Sequence, residues 1–329
     1  MTMRRSFWLV FALGLVLWSS TGFATDAETD PALRAFRARR FEELEGRIAT
    51  LLATTRGKHW ELALYNQFII RTKKAIDLEP ALNDNVEAWR LAIPKSAHPY
   101  NLFAAIESTR GWDVRGRGYV STVPKEAWPK FRAHMEASDA LLQKGRKIDP
   151  KNLPVAVQRI EVATYGSGDV KQVLARFEEA LEIDPVSEAA HRAMRLALGG
   201  KWFGSDEIAL RFVREAVRQH PEAPALAALL VDIHADIASH QRRTSEDVSR
   251  YFQRPEIWQE VFPAAERYAA AHPTDAWAHN NLAWLAWRGD RRDLAKREFA
   301  ILDGDFDDDA WDDDMTPEQA LAWAESPAP

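Results

Sequence analysis

Hydrophobic residues recur three and four positions apart along almost the whole chain. Between residues 33 and 52 they occupy positions 33, 36, 41, 44, 48, 51 and 52, which places them on one face of an α-helix. Asp30 and Pro31 predict its start, because aspartate caps a helix N-terminus and proline is favoured at the first helical position. Only residues 118–123, GYVSTV, are compatible with an extended segment. The pattern predicts an all-α protein.

Prolines divide the helical segments at nearly regular intervals. Pro150, Pro185 and Pro221 follow one another after 35 and 36 residues, Pro80 lies 70 residues before Pro150, and Pro273 lies 52 residues after Pro221. Each proline follows an apolar helical segment and ends it, because proline lacks the N–H group that the next turn needs. A period near 35 residues is typical of stacked helix pairs. We therefore expect an irregular α-solenoid of stacked antiparallel helix pairs.

The segment 276–309 matches the pattern of a known repeat best. Its characteristic positions are Leu282-Ala283, Gly289-Asp290, Ala295 and Phe299. On these residues the chain resembles the tetratricopeptide repeat (TPR) family, and residues 153–186 and 187–221 match the same pattern in part. Glu161 departs from it, because the repeat has a small residue at that position. The resemblance implies a TPR-like helix stack.

A second resemblance covers much of residues 30–240. It rests on a loop with tryptophan, arginine and glycine, on the AWPKF segment, and on a later K-W-x-G-S motif, which here comprise Trp112, Arg115, Gly116, Trp128, Phe131, Lys201, Trp202, Gly204 and Ser205. These residues resemble an uncharacterised bacterial family, domain of unknown function 4034, whose architecture is helical and TPR-like. The resemblance implies no activity.

The N-terminus has the pattern of a secretory signal peptide. Arg4 and Arg5 precede an apolar run from Phe7 to Trp18, which is shorter than the about 20 residues that span a bilayer. Small residues follow, and we expect cleavage after Ala24; an uncleaved anchor is the alternative. We therefore expect a periplasmic or secreted protein that does not insert into the membrane after cleavage.

The predicted organisation follows from these features. We expect a signal peptide at 1–24, a linker at 25–29, an N-terminal helical region at 30–148 with an Arg/Gly/Trp loop at 109–124, TPR-like repeats at 149–315 with inserts near 199–207 and 239–256, and a C-terminal helix and tail at 316–329.

Composition narrows the classes of function. The formal net charge is −6, which argues against a nucleic-acid-binding protein, since these proteins present a basic face. The chain has no cysteine, so disulfides, thiolate metal sites and a cysteine nucleophile are excluded. Hydrophobic residues make up 46% of the chain, as in a folded globular protein.

The predicted loop at 109–124 contains a candidate binding site. Arg110, Arg115 and Arg117 stand there beside Trp112 and Tyr119. Guanidinium groups pair with carboxylates and stack on aromatic rings, so the loop is a candidate clamp for an anion or an acidic peptide. The alternative is a loop packed onto the helices by its aromatic residues. Further candidate binding residues are Trp202, Asn280 and Asn281.

The segment DGDFDDDAWDDDM, at 303–315, is a candidate calcium loop. Asp303, Asp305, Asp307 and Asp314 occupy positions 1, 3, 5 and 12 of an EF-hand loop, although position 6 lacks glycine. In the TPR frame, the same segment predicts a helix that begins at Trp311. Calcium is the one cofactor that the sequence suggests.

Motifs for catalysis are not found. The chain has no H-E-x-x-H, G-x-S-x-G or phosphate-binding glycine loop. Asp232, Asp236 and His240 share one helix face, which indicates a polar surface rather than a metal site. We expect a non-enzymatic scaffold that binds a protein or peptide. The alternatives are a hydrolase-like enzyme of the cell envelope and a calcium-stabilised structural protein.

Overall fold

The protein is all-helical over the residues that the structure describes. The computed structural model describes residues 31–116, 118, 120–243, 250–307, 310–311 and 315–327. Within these ranges it has fifteen α-helices, three short 3-10 turns and no strand. The all-α prediction is therefore confirmed. The predicted signal peptide (1–24), the linker (25–29) and Asp30 lie outside the described residues.

The chain divides into two compact units. Unit 1 holds the described part of Thr25–Arg56 together with Trp60–Ala197, and unit 2 holds Gly57–His59 and the described part of Leu198–Pro329. The division after Ala197 differs from the sequence-based boundary between residues 148 and 149. That boundary falls inside unit 1, because the helices on its two sides pack against each other.

Unit 1 contains nine of the described α-helices. From the fourth helix onward, each helix packs on the next one along the unit. The helices are α1 Pro31–Arg37, α2 Phe41–Thr55, α3 Ala63–Leu78, α4 Asn83–Ala92, α5 His98–Arg115, α6 Ala127–Ile148, α7 Leu153–Gly166, α8 Val170–Leu181 and α9 Glu188–Ala197.

Unit 2 contains the other six described α-helices, which also pack consecutively. They are α10 Asp206–Gln219, α11 Pro224–Arg243, α12 Pro255–Ala271, α13 Ala276–Arg288, α14 Arg292–Leu302 and α15 Pro317–Glu325. Consecutive packing in both units is the arrangement of a helical-repeat fold.

Several helices end before prolines or begin at residues that favour helix caps. Helices α3, α6, α8, α10 and α12 each end within a few residues before a proline. Ser205 caps α10 by accepting a hydrogen bond from Ile208 N at 3.3 Å. Thr316 and Gln319 form a capping box at α15, with Pro317 at the first helical position. Serine and threonine are among the residues that favour this capping position, so the two starts can be read from the sequence.

The helix predicted from residue 31 onward is interrupted, which the sequence pattern did not show. Helix α1 ends at Arg37, and Arg39 adopts a left-handed conformation with φ of 56° before α2 begins. Asn85, on α4, donates hydrogen bonds to the Phe36 and Arg37 carbonyl oxygens at 3.1 and 3.3 Å. This distant amide satisfies carbonyl groups that a continuous helix would have paired internally.

The predicted loop at 109–124 is wrong over its first half. Helix α5 continues to Arg115, and the extended segment proposed at 118–123 contains a 3-10 turn at Val120–Thr122. Gly111 does not break α5, because it lies where α6 passes closely: a Cβ at this position would be 2.6 Å from Met135 Cε. Close packing thus overrides the low helix propensity of glycine.

Glu61 joins the segment before α3 to the start of α9. Its carboxylate, on a side chain buried in unit 1, accepts hydrogen bonds from Ser187 Oγ at 2.7 Å and from Ala189 N at 3.3 Å. Its own backbone N–H donates to Glu188 Oε2 at 3.1 Å. A carboxylate at a helix N-terminus satisfies free N–H groups and is favoured by the helix dipole. The clasp spans 126 residues of sequence.

Close packing between α6 and α7 makes Gly166 sensitive to substitution. A Cβ at Gly166 would lie 2.5 Å from Met135 Cβ, so we expect Gly166→Ala to lower the free energy of unfolding by about 1–3 kcal/mol. Gly46, exposed on α2 with open space around it, is the control. Gly46→Ala should raise stability by about 0.5–1 kcal/mol. Urea denaturation followed by circular dichroism measures both, and effects of equal sign would contradict this packing.

Candidate functional site

Helices α3, α5 and α7 of unit 1 enclose a small polar cleft. Its lining combines apolar residues with amide, hydroxyl and carboxyl groups: Leu62, Asn66, Ile69, Asn101, Ala105, Ser108, Pro154, Val157, Gln158, Glu161, Val162 and Tyr165. The free volume is about 40 Å³, which holds a few waters or the end of one side chain. We call this space the Glu161 cleft.

Glu161 has an unusual environment for a carboxyl group. The side chain is half-buried on α7, and no hydrogen bond or ion pair joins its carboxyl to another described residue. Burial alone raises the pKa of Glu161 to about 8, because desolvation disfavours the charged form and no cation compensates. At neutral pH the carboxyl is therefore mostly protonated.

An ion-pair network on the other side of α7 fixes the helix that carries Glu161. Arg159, only 3% exposed in its side chain, donates to Asp139 Oδ1 at 3.2 Å on α6 and pairs with Glu179 on α8. Glu179 also accepts from Arg146 and Arg176, each at 2.8 Å. Residues two apart point to nearly opposite sides of a helix. The network thus anchors α7 to α6 and α8 while Glu161 faces the cleft.

Amide groups connect the walls of the cleft. With its oxygen toward the Ala105 N–H, the Gln158 side chain accepts a hydrogen bond at 3.2 Å and donates one to the Asn101 carbonyl oxygen at 3.2 Å. These contacts join α7 to α5. Asn66 contributes a half-buried amide from α3. Amides provide both donors and acceptors, so the walls can pair with either kind of ligand group.

The structure brings two residues of the predicted arginine clamp together beside this cleft. Trp112, 5% exposed, packs edge-on against Tyr165, a lining residue, with ring centroids 5.4 Å apart. The Arg115 guanidinium lies 5.0 Å from the Trp112 ring centre and 5.1 Å from that of Trp128. Arg110 is exposed and pairs with Glu107 at 3.0 Å.

Arg115 has a structural role within this cluster. Its Nη1 donates to the Gly116 carbonyl oxygen at 3.0 Å and to that of Gly118 at 3.3 Å, next to the end of α5. Burial lowers the pKa of Arg115. Arg117 and Tyr119, the other two residues of the predicted clamp, lie outside the described residues. Among the described members, Trp112 and Arg115 pack on neighbouring aromatic rings, and the clamp stays a prediction.

The other predicted binding residues belong to unit 2. Trp202 is half-buried in the turn before α10, and Asn281 is half-buried on α13. Asn280 is fully buried: it donates to the Ala276 and Asp305 carbonyl oxygens at 3.0 and 3.1 Å and accepts from Trp311 Nε1 at 3.1 Å. Its amide holds the segment after α14 in place, so it is not presented to a ligand.

The acidic segment lies between two helices, as an EF-hand loop would. Helix α14 ends at Leu302, and Asp303 follows in a left-handed conformation with φ of 46°. Asp305 N donates to the Leu302 carbonyl oxygen at 2.8 Å, and Asp307 is also described. Asp314 lies outside the described residues. Over the described part of the chain, no group of three or more His, Asp and Glu side chains is placed to hold a metal ion. Calcium binding stays a prediction.

Trp311 does not begin a helix, which corrects the TPR frame at this point. The residue lies in a bend, and the next α-helix among the described residues begins at Pro317. Trp311 instead stacks on Phe299 with ring centroids 5.8 Å apart. Its indole N–H bonds to Asn280, so the side chain closes the core formed by α13, α14 and α15.

The polar face predicted on α11 separates into two different interactions within unit 2. His240 contacts Asp206 of α10 at 2.9 Å, and Asp232 lies 3.5 Å from His59 Nε2. His59 in turn stacks on Trp277 with ring centroids 4.0 Å apart. The predicted polar surface thus takes part in packing between elements rather than facing solvent alone.

His234, between these residues, was missed by the sequence analysis. It is fully buried, with Nδ1 2.7 Å from Tyr251 Oη and Nε2 3.2 Å from Glu260 Oε2. Glu260 also accepts two hydrogen bonds from Arg214, each at 2.6 Å. Burial lowers the pKa of His234 and raises that of Tyr251 to about 12. His234 thus joins α11 to Tyr251 and to Glu260 of α12 inside unit 2.

The Glu161 cleft was not identified from the sequence either, although one signal pointed to it. Glu161 stands where the TPR pattern has a small residue, and a departure from a packing pattern is often a functional residue. The cleft combines residues from 62 to 165, so no local motif shows it.

Two comparisons with known proteins gave no match. No protein-family model matches the chain, and the search of curated proteins finds no match. Among the described residues, no helix has both the length and the apolar character to cross a membrane.

Proposed function

We propose that the protein is an exported, TPR-like scaffold without catalytic activity, which binds a protein or peptide in the Glu161 cleft. The signal-peptide pattern of residues 1–24 supports export to the periplasm or beyond the cell. The consecutive helix packing supports the TPR-like character. Residues 1–24 lie outside the described part of the chain, so export rests on the sequence pattern.

The main support for peptide binding is that amide side chains from three helices converge on this cleft. Asn66 from α3, Asn101 from α5 and Gln158 from α7 line one cleft, between apolar residues such as Ile69 and Val157. A peptide backbone has one donor and one acceptor per residue, which amides complement. The small free volume suits one inserted side chain, with the rest of the peptide outside.

The composition of the cleft favours binding over hydrolysis. Of the residues that line it in the described chain, one carries a carboxyl group, Glu161, and none is a histidine. Glycoside hydrolysis by the usual route needs two carboxyl groups in defined positions, and acyl transfer needs a nucleophile with an adjacent base. This lining supports a scaffold rather than the hydrolase-like alternative.

A substitution that fills the cleft tests this function. We expect Asn66→Phe to weaken peptide binding at least about tenfold, because the ring occupies the free volume that an inserted side chain needs. Gln67→Phe, at the adjacent half-buried amide of α3 that does not line the cleft, is the control. Full-length wild-type protein is first applied to an array of random hexapeptides. Affinities of the peptides that bind are then measured for the wild type and both variants by fluorescence anisotropy.

The outcome separates binding in the cleft from binding elsewhere. Loss of affinity in Asn66→Phe with near wild-type affinity in Gln67→Phe supports the proposal. Equal affinities in the two variants, or no hexapeptide bound at millimolar concentration, would contradict it. Circular dichroism of each variant shows whether the helices have formed.

A further inference from the structure

The Glu161 cleft contains a carboxyl group, but no positively charged residue of the described chain lines it. Its lining contains acceptor groups and one carboxyl, and no lysine, arginine or histidine of the described chain is among the lining residues. The carboxyl of Glu161 has no hydrogen-bond partner from the described residues. A half-buried acid without a partner in such a site is stabilised most by an incoming cation that also donates hydrogen bonds.

We propose that the cleft binds a primary ammonium group, such as that of a lysine side chain, with Glu161 as its counter-ion. The inference rests on the proposed peptide-binding function and names the group that is recognised. An ammonium has three N–H donors and no acceptor. Glu161 and the side chains of Asn66 and Asn101, whose amides each include an acceptor oxygen, line the same small cleft. The apolar residues at its walls suit the methylene stem of a lysine.

The size of the cleft favours an ammonium over a guanidinium. A free volume of about 40 Å³ fits the end of a slender chain, whereas a guanidinium is a planar group with three nitrogens in a fork. Lysine should therefore bind more tightly than arginine in the same peptide context.

Neighbouring charges do not neutralise Glu161. The other titratable residue that lines the cleft is Tyr165. The charged groups on the surrounding helices do not line the cleft. Many are paired with one another: Lys73 with Asp77 on α3, Glu107 with Arg110 and His134 on α5 and α6, Asp139 and Glu179 with Arg146, Arg159 and Arg176 on α6, α7 and α8, and Glu188 with Arg192 on α9. Lys74 on α3 and Asp113 on α5 are exposed, and Arg115 donates to backbone carbonyl oxygens at the end of α5.

Binding of an ammonium should be coupled to loss of a proton from Glu161. With a pKa of about 8, the carboxyl is about 1% ionised at pH 6 and mostly ionised at pH 8.5. If only the ionised form binds the cation, affinity is proportional to the ionised fraction. We therefore expect affinity to rise roughly 50-fold or more from pH 6 to pH 8.5, while lysine itself stays charged.

The experiment compares ligands that differ by one charge. Full-length protein is titrated with Nα-acetyl-lysine methylamide, with its norleucine analogue and with n-butylammonium, at pH 6 and pH 8.5, by calorimetry or NMR. Wild type is compared with Glu161→Gln, which keeps the shape of the side chain and removes its charge. We expect the lysine compound to bind at least tenfold more tightly than the norleucine analogue at pH 8.5, and Glu161→Gln to remove both this preference and the pH dependence.

Calorimetry in buffers of different ionisation enthalpy adds an independent reading. At pH 7 close to one proton should be released per ligand bound by the wild type, and none by Glu161→Gln. Equal affinity for the lysine and norleucine compounds, an affinity that does not change with pH, or unchanged binding by Glu161→Gln would each overturn the inference.

The results with hexapeptides and with n-butylammonium also distinguish a failure of this inference from a failure of the proposed function. If hexapeptides bind in a way that Asn66→Phe abolishes, but without preference for lysine, the scaffold function stands and the inference is wrong. If n-butylammonium binds through Glu161 but no peptide does, the ammonium site is correct and its natural ligand is a free amine. In that case the peptide-binding function is wrong.

Discussion

Replacing Glu161 with glutamine is expected to remove a loss of stability of about 4 kcal/mol that the wild type undergoes between pH 5 and pH 9. The pKa of the carboxyl is about 8 in the folded protein and near 4.5 in the unfolded chain. Between these two values the folded state binds more protons, so the free energy of unfolding of the wild type falls as pH rises. Between pH 5 and pH 9 this group alone should lower it by about 4 kcal/mol. Glutamine has no proton to lose, and the variant escapes this loss.

Urea denaturation at pH 5, 7 and 9 measures the effect as a difference between variant and wild type. That difference isolates residue 161, because all other titrating groups are shared. Glu178→Gln, an exposed glutamate on α8, is the control and should leave the pH dependence unchanged. A difference between Glu161→Gln and wild type that is constant from pH 5 to pH 9 would show that the carboxyl is not held protonated in the fold.

Removing the carboxylate of Glu179 is expected to lower the free energy of unfolding by about 2–3 kcal/mol. Glu179 neutralises Arg146, Arg159 and Arg176, which come from α6, α7 and α8. The Arg159 side chain is buried and would keep Asp139 alone as a partner. Glu179 is itself 25% exposed in its side chain, and water can therefore replace part of the lost interaction.

The adjacent residue provides a matched control. Glu178→Ala removes the same group from the same helix at an exposed position, and it should change stability by less than about 0.5 kcal/mol. Urea denaturation of Glu179→Ala and Glu178→Ala in 0.1 M and 1 M salt tests the difference. Similar stabilities for the two would mean that the network adds nothing beyond a solvated surface.

Much of the fold could be predicted because its signals are local. Prolines 80, 150, 185, 221 and 273 follow helix ends in the structure as they do in the sequence pattern. Ser205 and Thr316 cap helices within the next three residues. Such features depend on the backbone of the same few residues, and a sequence shows them directly.

The predictions from the sequence that were wrong depend on contacts between residues far apart in the chain. The break after α1 depends on Asn85, 49 residues beyond Phe36, whose carbonyl it satisfies. Helix α5 passes through Gly111 because α6 packs closely there. Trp311 lies on the repeat period but bonds to Asn280 instead of beginning a helix. Periodicity shows which face is apolar, but not which partner an amide or indole finds.

The candidate site was hidden for the same reason. Glu161 is a single acid in an apolar helix, and its unusual pKa arises from burial by residues of α3 and α5. The sequence marked it as a departure from the repeat pattern, but the missing counter-ion can be seen only when the three helices are assembled.

The Glu61 clasp has a consequence for how unit 1 unfolds. A stack in which each helix touches mainly its neighbours can fray from a free end, one helix at a time. Here Glu61, between α2 and α3, bonds to the N-terminus of α9, the last helix of the unit, so the two segments must separate before α9 can fray. The bond therefore couples the segment before α3 to the last helix, and α3 to α9 should unfold cooperatively, with α9 protected against hydrogen exchange as long as residue 61 stays in place.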